Sequence, residues 1–321
     1  MKNLKKMKIG LIDVDGHNYP SLPLMKISAY HKSKGDSVEW YVPLLSGHMD
    51  KVYMSKVFSF TPDYTWTVDA DEVVKGGSGY AIRLVDGHEV YDKSVDNDLP
   101  YEVEHIYPDY SLYPEQTKDT AYGFLTRGCP RGCTFCHVAS KEGRCSHKVA
   151  DLSEFWRGQK NIVLCDPNIL ACPQHMELLQ QLVDSKAKVD FNHGLDIRLV
   201  NDDNTRLLRQ IKIKSIHFAF DRWQDRDIIE PKLRQFIKQT GYSRSKGAVT
   251  VFILTNYDTT LDQDIYRIQL CRELNISPYP MIYDKEHCDS IYKKLQRWCS
   301  NYIFWKVPTF ENYLCYEAKR G

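Results

Sequence analysis

Residues 125–137 read LTRGCPRGCTFCH and follow directly on a short apolar run, 122–125. Three cysteines in this stretch, Cys129, Cys133 and Cys136, have a C-x3-C-x2-C spacing, and two glycines and a proline lie between and before them. Because glycine leaves the backbone free to turn, such a loop can bring three thiolates towards one point. Closely spaced cysteine thiolates of this kind hold iron–sulfur clusters. Three thiolates leave one iron of a four-iron cluster open to a small molecule.

A zinc site is the alternative for the same cysteines, with His137 or Cys145 as the fourth ligand. Structural zinc sites usually combine one closely spaced ligand pair with a second pair. The sequence around the loop carries no second C-x2-C or H-x3-H pair. The spacing therefore favours an iron–sulfur cluster over zinc.

The cysteine loop resembles the cluster-binding loop of the radical SAM superfamily, with Cys129, Cys133 and Cys136 at the three ligand positions. The resemblance implies a [4Fe-4S] cluster whose fourth iron chelates the amino and carboxylate groups of S-adenosylmethionine. It further implies reductive cleavage to a 5′-deoxyadenosyl radical that abstracts a hydrogen atom from substrate, with an external one-electron donor as partner. Phe135 occupies the family's aromatic position before the third cysteine, where the loop passes the adenine.

The composition is that of an ordinary globular protein. The chain has 321 residues, enough for two domains, with 42% hydrophobic and 26% charged residues. Lys and Arg number 43 against 42 Asp and Glu, so the net charge of +1 gives no evidence for nucleic-acid binding. No long apolar segment is present, and we therefore expect a cytoplasmic protein without a membrane span.

The seven cysteines outside the loop form no spaced framework, and we expect them to be reduced. Cys165 and Cys271 lie in apolar periodic segments, which is typical of small core residues. Cys288, Cys299 and Cys315 could hold an auxiliary cluster. Their wide, irregular spacing favours ordinary core or surface thiols instead.

Residues 1–79 alternate strand and helix patterns. Apolar strand-like runs cover 8–14, 37–42, 51–58 and 72–74, and a helical pattern covers 22–34. This alternation predicts a small parallel α/β sheet, whose ligands would bind at the carboxyl ends of the strands. The interval between 58 and 72 leaves little space for a helix, so we expect an abbreviated Rossmann-like domain.

The same order resembles the cobalamin-binding domains that precede some radical SAM domains, with their D-x-H-x-x-G signature. Asp15 and His17 match this signature, whereas Pro20 replaces its glycine. Ser55 and the Gly76-Gly77 pair lie where the later serine and glycine pair belong. Cobalamin is thus implied as a second cofactor. The alternative for the first element is a plain turn, since Asp, Gly, Asn and Pro are all turn formers.

Strand and helix patterns alternate again through residues 118–285, as in βα units. Strand-like runs cover 122–125, 161–166, 188–196, 215–221, 248–255 and 276–283, and helical patterns cover 174–183, 203–210, 225–238, 261–274 and 286–298. Six units predict a partial (βα)6 TIM-type barrel, the fold that the resemblance implies, because eight are needed for closure. Residues 80–117 are predicted as a loop-rich connector, and 286–321 as a C-terminal helix and aromatic tail.

Polar residues follow the predicted barrel strands, where such barrels carry their chemistry. By the resemblance, Asp166 and Asn168 meet the methionine amino group, although the family's glycines are absent there. A guanidinium can grip a carboxylate with two hydrogen bonds, which makes Arg198 the candidate for the methionine carboxylate. Further candidates for the ribose hydroxyls or the substrate are Asn192, Asp196 and Asn256.

Structural roles are the alternatives for these strand-end residues. Aspartates there often cap the next helix, and Arg198 could form an ordinary ion pair with Asp196 or Asp202. Of the two nearby histidines, His193 is expected to face the site, and His217, which alternates with core residues, to be structural.

The sequence therefore predicts a radical SAM enzyme acting on an unidentified substrate, with no catalytic side chain assigned. A cobalamin-dependent radical SAM methyltransferase is one alternative. A non-catalytic binding protein stabilised by a metal or cluster is the other.

Overall fold

The computed structural model describes residues 6–16, 18–85, 88–300 and 302–318. The chain forms two compact units: Met1–Cys145 with Val149–Ile162, and Ser146–Lys148 with Val163–Gly321. Both are mixed α/β structures with parallel sheets, which confirms the predicted α/β class. The predicted division into four segments stays a prediction.

The first unit contains a four-stranded parallel sheet with the order β2-β1-β3-β4. Its strands are β1 (Lys8–Asp13), β2 (Ser37–Trp40), β3 (Met49–Ser55) and β4 (Ala70–Gly76), with helix α1 (Leu22–Ser33) between β1 and β2. Ile9 and Leu11 of β1 pack against Leu24 and Ile27 of α1 in a buried apolar cluster. No helix lies between β3 and β4 in the described residues, as predicted.

Short elements follow the sheet, and the last of them comes directly after the cysteine loop. They are α2 (Ser78–Ala81), β5 (Ile82–Val85), β6 (His88–Tyr91), α3 (Tyr101–Glu104), α4 (Pro114–Thr117), β7 (Thr120–Gly123), β8 (Thr126–Arg127) and α5 (Val138–Glu142). Strands β5 and β6 pair antiparallel. The predicted connector is thus a hairpin and several single helical turns.

Tyr113 anchors the connector to the four-stranded sheet. It is 2% exposed, and its hydroxyl donates to Asp13 Oδ2 at 2.7 Å, at the carboxyl end of β1. Its ring meets Trp40 of β2 edge to face, 5.3 Å between centroids. Burial, together with the nearby Asp13 carboxylate, raises the pKa of the Tyr113 hydroxyl above its usual value, so the hydroxyl stays a donor.

The second unit carries the remaining strands and helices. They are β9 (His147–Lys148), β10 (Asn161–Leu164), α6 (His175–Ser185), β11 (Lys188–Leu195), α7 (Asp202–Leu208), β12 (Lys212–Ala219), α8 (Arg226–Thr240), β13 (Val249–Thr255), α9 (Leu261–Glu273) and β14 (Ser277–Ile282). The boundary between the units falls inside β10. All six predicted strands and the helices between them are present.

The large sheet is parallel and has the order β14-β13-β12-β11-β10-β7, so its six strands follow one another as they do along the chain. One face is packed under helices, because Ile216 and Phe218 of β12 are fully buried and Phe218 contacts Phe236 of α8 at 5.1 Å. At the β14 edge, Pro278 and Pro280 have no N–H to offer a further strand.

The aromatic tail forms three helices, α10 (Ser290–Cys299), α11 (Ile303–Lys306) and α12 (Phe310–Ala318). Trp298 is fully buried and contacts the rings of Phe304 and Phe310 at 5.1 and 5.6 Å. The aromatic rings of the tail thus pack against one another, and its predicted place as a cover of the barrel stays a prediction. Across the described residues, every helix is too short or too polar to span a bilayer.

Replacing Tyr113 with Phe tests the anchor. The variant keeps the ring but leaves the Asp13 carboxylate without this donor, so we expect the free energy of unfolding to fall by about 1–2 kcal/mol. The control is Tyr302→Phe, because Tyr302 is 66% exposed, and it should change stability little. Urea unfolding measures both, and equal stabilities would contradict the role of Tyr113.

Candidate functional site

Two left-handed glycines shape the cysteine loop. Gly128 and Gly132 have φ of +82° and +56°, a region that costs other residues energy. The loop is further fixed by hydrogen bonds from Cys129 N to Gly143 O and from Cys136 N to Cys133 O, both 3.1 Å. Gly128 before the first cysteine and Gly132 before the second therefore turn the backbone where the sequence predicted a turned loop.

Glu142, the last residue of α5, closes the base of this loop. Its carboxylate accepts from Arg127 Nη1 at 2.8 Å and from Gly128 N at 3.0 Å. Gly128 also lies against the backbone of Cys145, where a Cβ would come within 2.2 Å of the carbonyl oxygen. The three cysteines thus lie on a loop whose two ends are held together.

The three cysteines of the loop are partly or largely exposed residues. Cys129 and Cys133 are half-buried, Cys136 is exposed, and Phe135 before it is half-buried. The donor set fits an iron–sulfur cluster in residue type, spacing and residue exposure. Within the described ranges, no group of three or more His, Cys, Asp and Glu side chains is placed to hold a metal ion. Cluster binding is therefore a proposal based on the loop.

The three distant cysteines differ strongly in environment. Cys299 is buried at the end of α10, Cys288 is half-buried and Cys315 is exposed. Burial raises the pKa of the Cys299 thiol well above its usual value. Since metals bind the thiolate, this environment favours the core role over an auxiliary cluster for Cys299.

Asp166 and Asn168 follow β10 and are each only 3% exposed. The Asn168 carbonyl accepts from Ser146 Oγ at 3.0 Å, so this turn is held within the second unit. The predicted amino-group ligands are therefore buried residues.

Arg198 is engaged by two carboxylates. Its Nε donates to Asp196 Oδ1 at 2.7 Å, and its Nη1 donates to Asp225 Oδ2 at 2.6 Å. The ion pair with Asp196 is the structural alternative that the sequence offered. Asp202 instead accepts from Gln239 Nε2 at 2.8 Å. A methionine carboxylate would have to compete with these two carboxylates for the guanidinium.

The remaining predicted residues differ in their contacts. Asn256 has φ of +60°, and its Nδ2 donates to Tyr283 O at 3.2 Å, which links the ends of β13 and β14. His193 is exposed, and its Nδ1 bonds Cys165 O at 2.7 Å. Asn192 is half-buried in an irregular part of β11.

The sequence interpretation missed a buried polar cluster at the ends of β12 and β13. Arg267 of α9 has no exposed surface, donates to Asp221 O at 2.9 Å and Leu254 O at 2.8 Å, and pairs with Asp264. The sequence did contain a signal for this cluster. The charged Asp264 and Arg267 lie on the same buried helix face as the apolar Ile268 and Cys271.

Asp221 contributes a carboxyl group to this cluster. Its Oδ1 accepts from Leu254 N at 3.0 Å. Burial raises the pKa of Asp221, although this hydrogen bond and the positive charge of Arg267 oppose the shift. A carboxyl with a raised pKa at a strand end is a candidate for proton transfer.

The predicted residues thus fall into two groups, the cysteine loop of the first unit and the strand ends of the second. No protein-family model and no curated protein matches this chain.

Gly128→Ala tests the close approach inside the cysteine loop. The new Cβ would meet Cys145 O, so we expect a loss of stability at least about 2 kcal/mol larger than in Gly143→Ala. Gly143 is the matched control, because its φ is +95° and nothing lies within 4 Å of a built Cβ. Unfolding midpoints compare the two, and similar losses would show that only the backbone angle matters.

Asp221→Asn tests the raised pKa. The folded wild type holds this proton more tightly than the unfolded chain does. The contribution of Asp221 to the free energy of unfolding should therefore fall as the pH rises from about 3.9 through the higher folded-state pKa. The variant should lack this decrease and so gain stability relative to wild type towards neutral pH.

Urea unfolding across this pH range measures the effect. Asp227→Asn, at a side chain that is 84% exposed, is the control and should follow the wild-type profile. The assignment fails if Asp221→Asn also follows the wild-type profile.

Proposed function

We propose that this protein is a radical SAM enzyme in which Cys129, Cys133 and Cys136 hold a [4Fe-4S] cluster. The observation that carries the proposal is the C-x3-C-x2-C spacing on a loop turned by two left-handed glycines, with partly or largely exposed cysteines. The loop follows β7, the first strand along the chain of a six-stranded parallel sheet. Both features agree with the family that the sequence resembles.

The large sheet supports a partial (βα)6 TIM-type barrel. Doubly wound sheets reverse their strand order at a switch point, whereas each barrel strand neighbours the strand before it in the chain. The order β14-β13-β12-β11-β10-β7 has no reversal. We therefore propose an open barrel of six strands, with a reactive site at their carboxyl ends.

A bound cluster would supply one-electron reductive cleavage of the S–C5′ bond of S-adenosylmethionine, which gives methionine and a 5′-deoxyadenosyl radical, with the electron from an external donor. The chain's own contribution begins with Glu142, which fixes Arg127 and Gly128 at the base of the loop. Phe135 offers an aromatic surface to the adenine. Through these residues the protein would orient the cofactors.

The strand-end residues remain the proposed contacts for S-adenosylmethionine or substrate. Asn192 and Asp196 lie at one strand end, and Asp166 and Asn168 at the neighbouring one. Arg198, Asp196 and Asn256 are the weaker candidates. Arg198 already bonds Asp196 and Asp225. The Asn256 amide already bonds the Tyr283 carbonyl.

The small sheet supports an abbreviated Rossmann-like domain. Its order β2-β1-β3-β4 reverses between β1 and β3, the point where sheets of this kind bind ligands. Here the Tyr113 hydroxyl bonds Asp13, and Ser21 Oγ donates to Ser55 Oγ at 3.0 Å. His17 lies outside the described residues.

The Gly76-Gly77 pair also has a packing role within the chain. A Cβ on Gly77 would come within 2.3 Å of Lys56 O, so glycine allows this turn to pack on the extension of β3. The serine and glycine positions expected to receive a corrin thus fit the chain's own packing instead. We therefore favour a radical SAM enzyme without cobalamin over a cobalamin-dependent methyltransferase.

Anaerobic reconstitution with iron and sulfide tests the proposal. We expect one four-iron cluster per chain, and 5′-deoxyadenosine after S-adenosylmethionine and dithionite are added. Alanine at Cys129, Cys133 or Cys136 should abolish both, because each thiolate binds a different iron. Cys145→Ala and Cys288→Ala are the controls and should keep the cluster.

Three outcomes would contradict parts of this proposal. A colourless protein that takes up zinc and loses it in Cys145→Ala would support the zinc site. A cluster without 5′-deoxyadenosine would support the non-catalytic alternative. Stoichiometric binding of hydroxocobalamin would restore the methyltransferase alternative.

A further inference from the structure

The face of the large sheet opposite helix α8 is partly open and carries three aromatic side chains. They are His217 of β12, Phe252 of β13 and Tyr279 of β14, one on each of three neighbouring strands. His217 and Phe252 are half-buried, whereas Tyr279 is 56% exposed. This contrasts with the fully buried Ile216 and Phe218, which alternate with His217 on the helix-covered face.

The hydrogen bond of His217 fixes its tautomer. Its Nδ1 lies 2.9 Å from Phe191 O. A carbonyl oxygen only accepts, so Nδ1 carries a proton, and in this tautomer Nε2 presents a lone pair. Within the part of the chain that the structure describes, Nε2 has no hydrogen-bond partner. His217 therefore offers an oriented acceptor on the open face.

Strand β11 is irregular where it passes His217. Its register against β12 jumps from Phe191↔Ile216 to Leu195↔Phe218, so residues 192–194 face His217 alone. Gly194 has φ of +94°, and a Cβ there would come within 3.0 Å of His217 O and 3.5 Å of its Cβ. Bulges of this kind are frequent beside functional sites, because they re-aim side chains.

The rings of Phe252 and Tyr279 beside His217 determine the shape of a ligand that fits there. The imidazole of His217 stacks on Phe252 at 5.0 Å with an interplanar angle of 4°. A planar group that donates to Nε2 and lies coplanar with the imidazole would also be parallel to the Phe252 ring. Tyr279 meets Phe252 at 5.6 Å and 76°, so its ring stands upright beside this surface.

We propose that His217, Phe252 and Tyr279 bind a planar heteroaromatic ring that carries an N–H donor. Nε2 of His217 accepts the N–H, the ring lies parallel to Phe252, and Tyr279 forms the side wall. Aromatic contacts favour such a ring over an aliphatic group of the same size. The site does not require a bound cluster, so it stands or falls separately from the proposed radical chemistry.

Indole and 1-methylindole are matched probes, because both are planar and only indole has the N–H. We titrate each into the full-length protein and follow the imidazole nitrogens of His217 by NMR. Indole should shift the Nε2 signal, and 1-methylindole should bind about fivefold more weakly, as expected for one lost hydrogen bond. Phe252→Leu should weaken the binding of both probes.

His217→Asn separates the acceptor from the anchor, because the asparagine amide can still donate to Phe191 O. It should reduce the affinity for indole to that for 1-methylindole. The matched control is His175→Asn, whose histidine also bonds a backbone carbonyl, Nδ1 to Cys172 O at 2.8 Å. It should bind indole like the wild type.

Two results would overturn the proposal: no shift of His217 near the solubility limit of indole, or unchanged indole affinity in a folded His217→Asn. If that variant does not fold, Tyr279→Ala replaces it, because Tyr279 is largely exposed. It should weaken both probes, and unchanged affinity would again overturn the site.

Discussion

A guanidinium without exposed surface, that of Arg267, holds the carboxyl ends of two central strands to helix α9. Burying a charge is costly unless hydrogen bonds and an opposite charge replace its water. Here the carbonyls of Asp221 and Leu254 accept from it, and Asp264 of the same helix supplies the charge. Removing either charged partner would leave the other buried alone, so this cluster makes the strand ends and α9 one rigid element.

The turn after β13 depends on the same cluster. Asp264 also accepts from Asn256 N at 3.1 Å, and Asn256 takes the left-handed conformation there. Asparagine tolerates this region better than most residues. The sequence interpretation proposed Asn256 as a ligand contact, but its backbone and side chain both stabilise the end of the sheet. A polar residue at a strand end therefore needs its partners known before it can be called a binding residue.

Local sequence patterns predicted the helices and strands well, but they could not predict contacts between residues that are distant in sequence. Apolar periodicity located β10 to β14. Among these strands only β12 was predicted to begin too late, because its first residues include the exposed Lys212 and Lys214. The cysteine spacing and its glycines also predicted a turned loop. The bond between Asp13 and Tyr113 joins residues one hundred positions apart, and no local pattern encodes such a pair.

His217 shows the limit most clearly. Its alternation with Ile216 and Phe218 correctly predicted a strand, and the same alternation suggested a structural histidine. Alternation separates the two faces of a strand, but it does not tell which face is covered. That depends on the helices, which cover Phe218 and leave the side of Phe252 and Tyr279 partly open. An oriented acceptor on an open face is a stronger indication of binding than a strand-end carboxylate whose partners lie within the chain, because its hydrogen bond remains to be made.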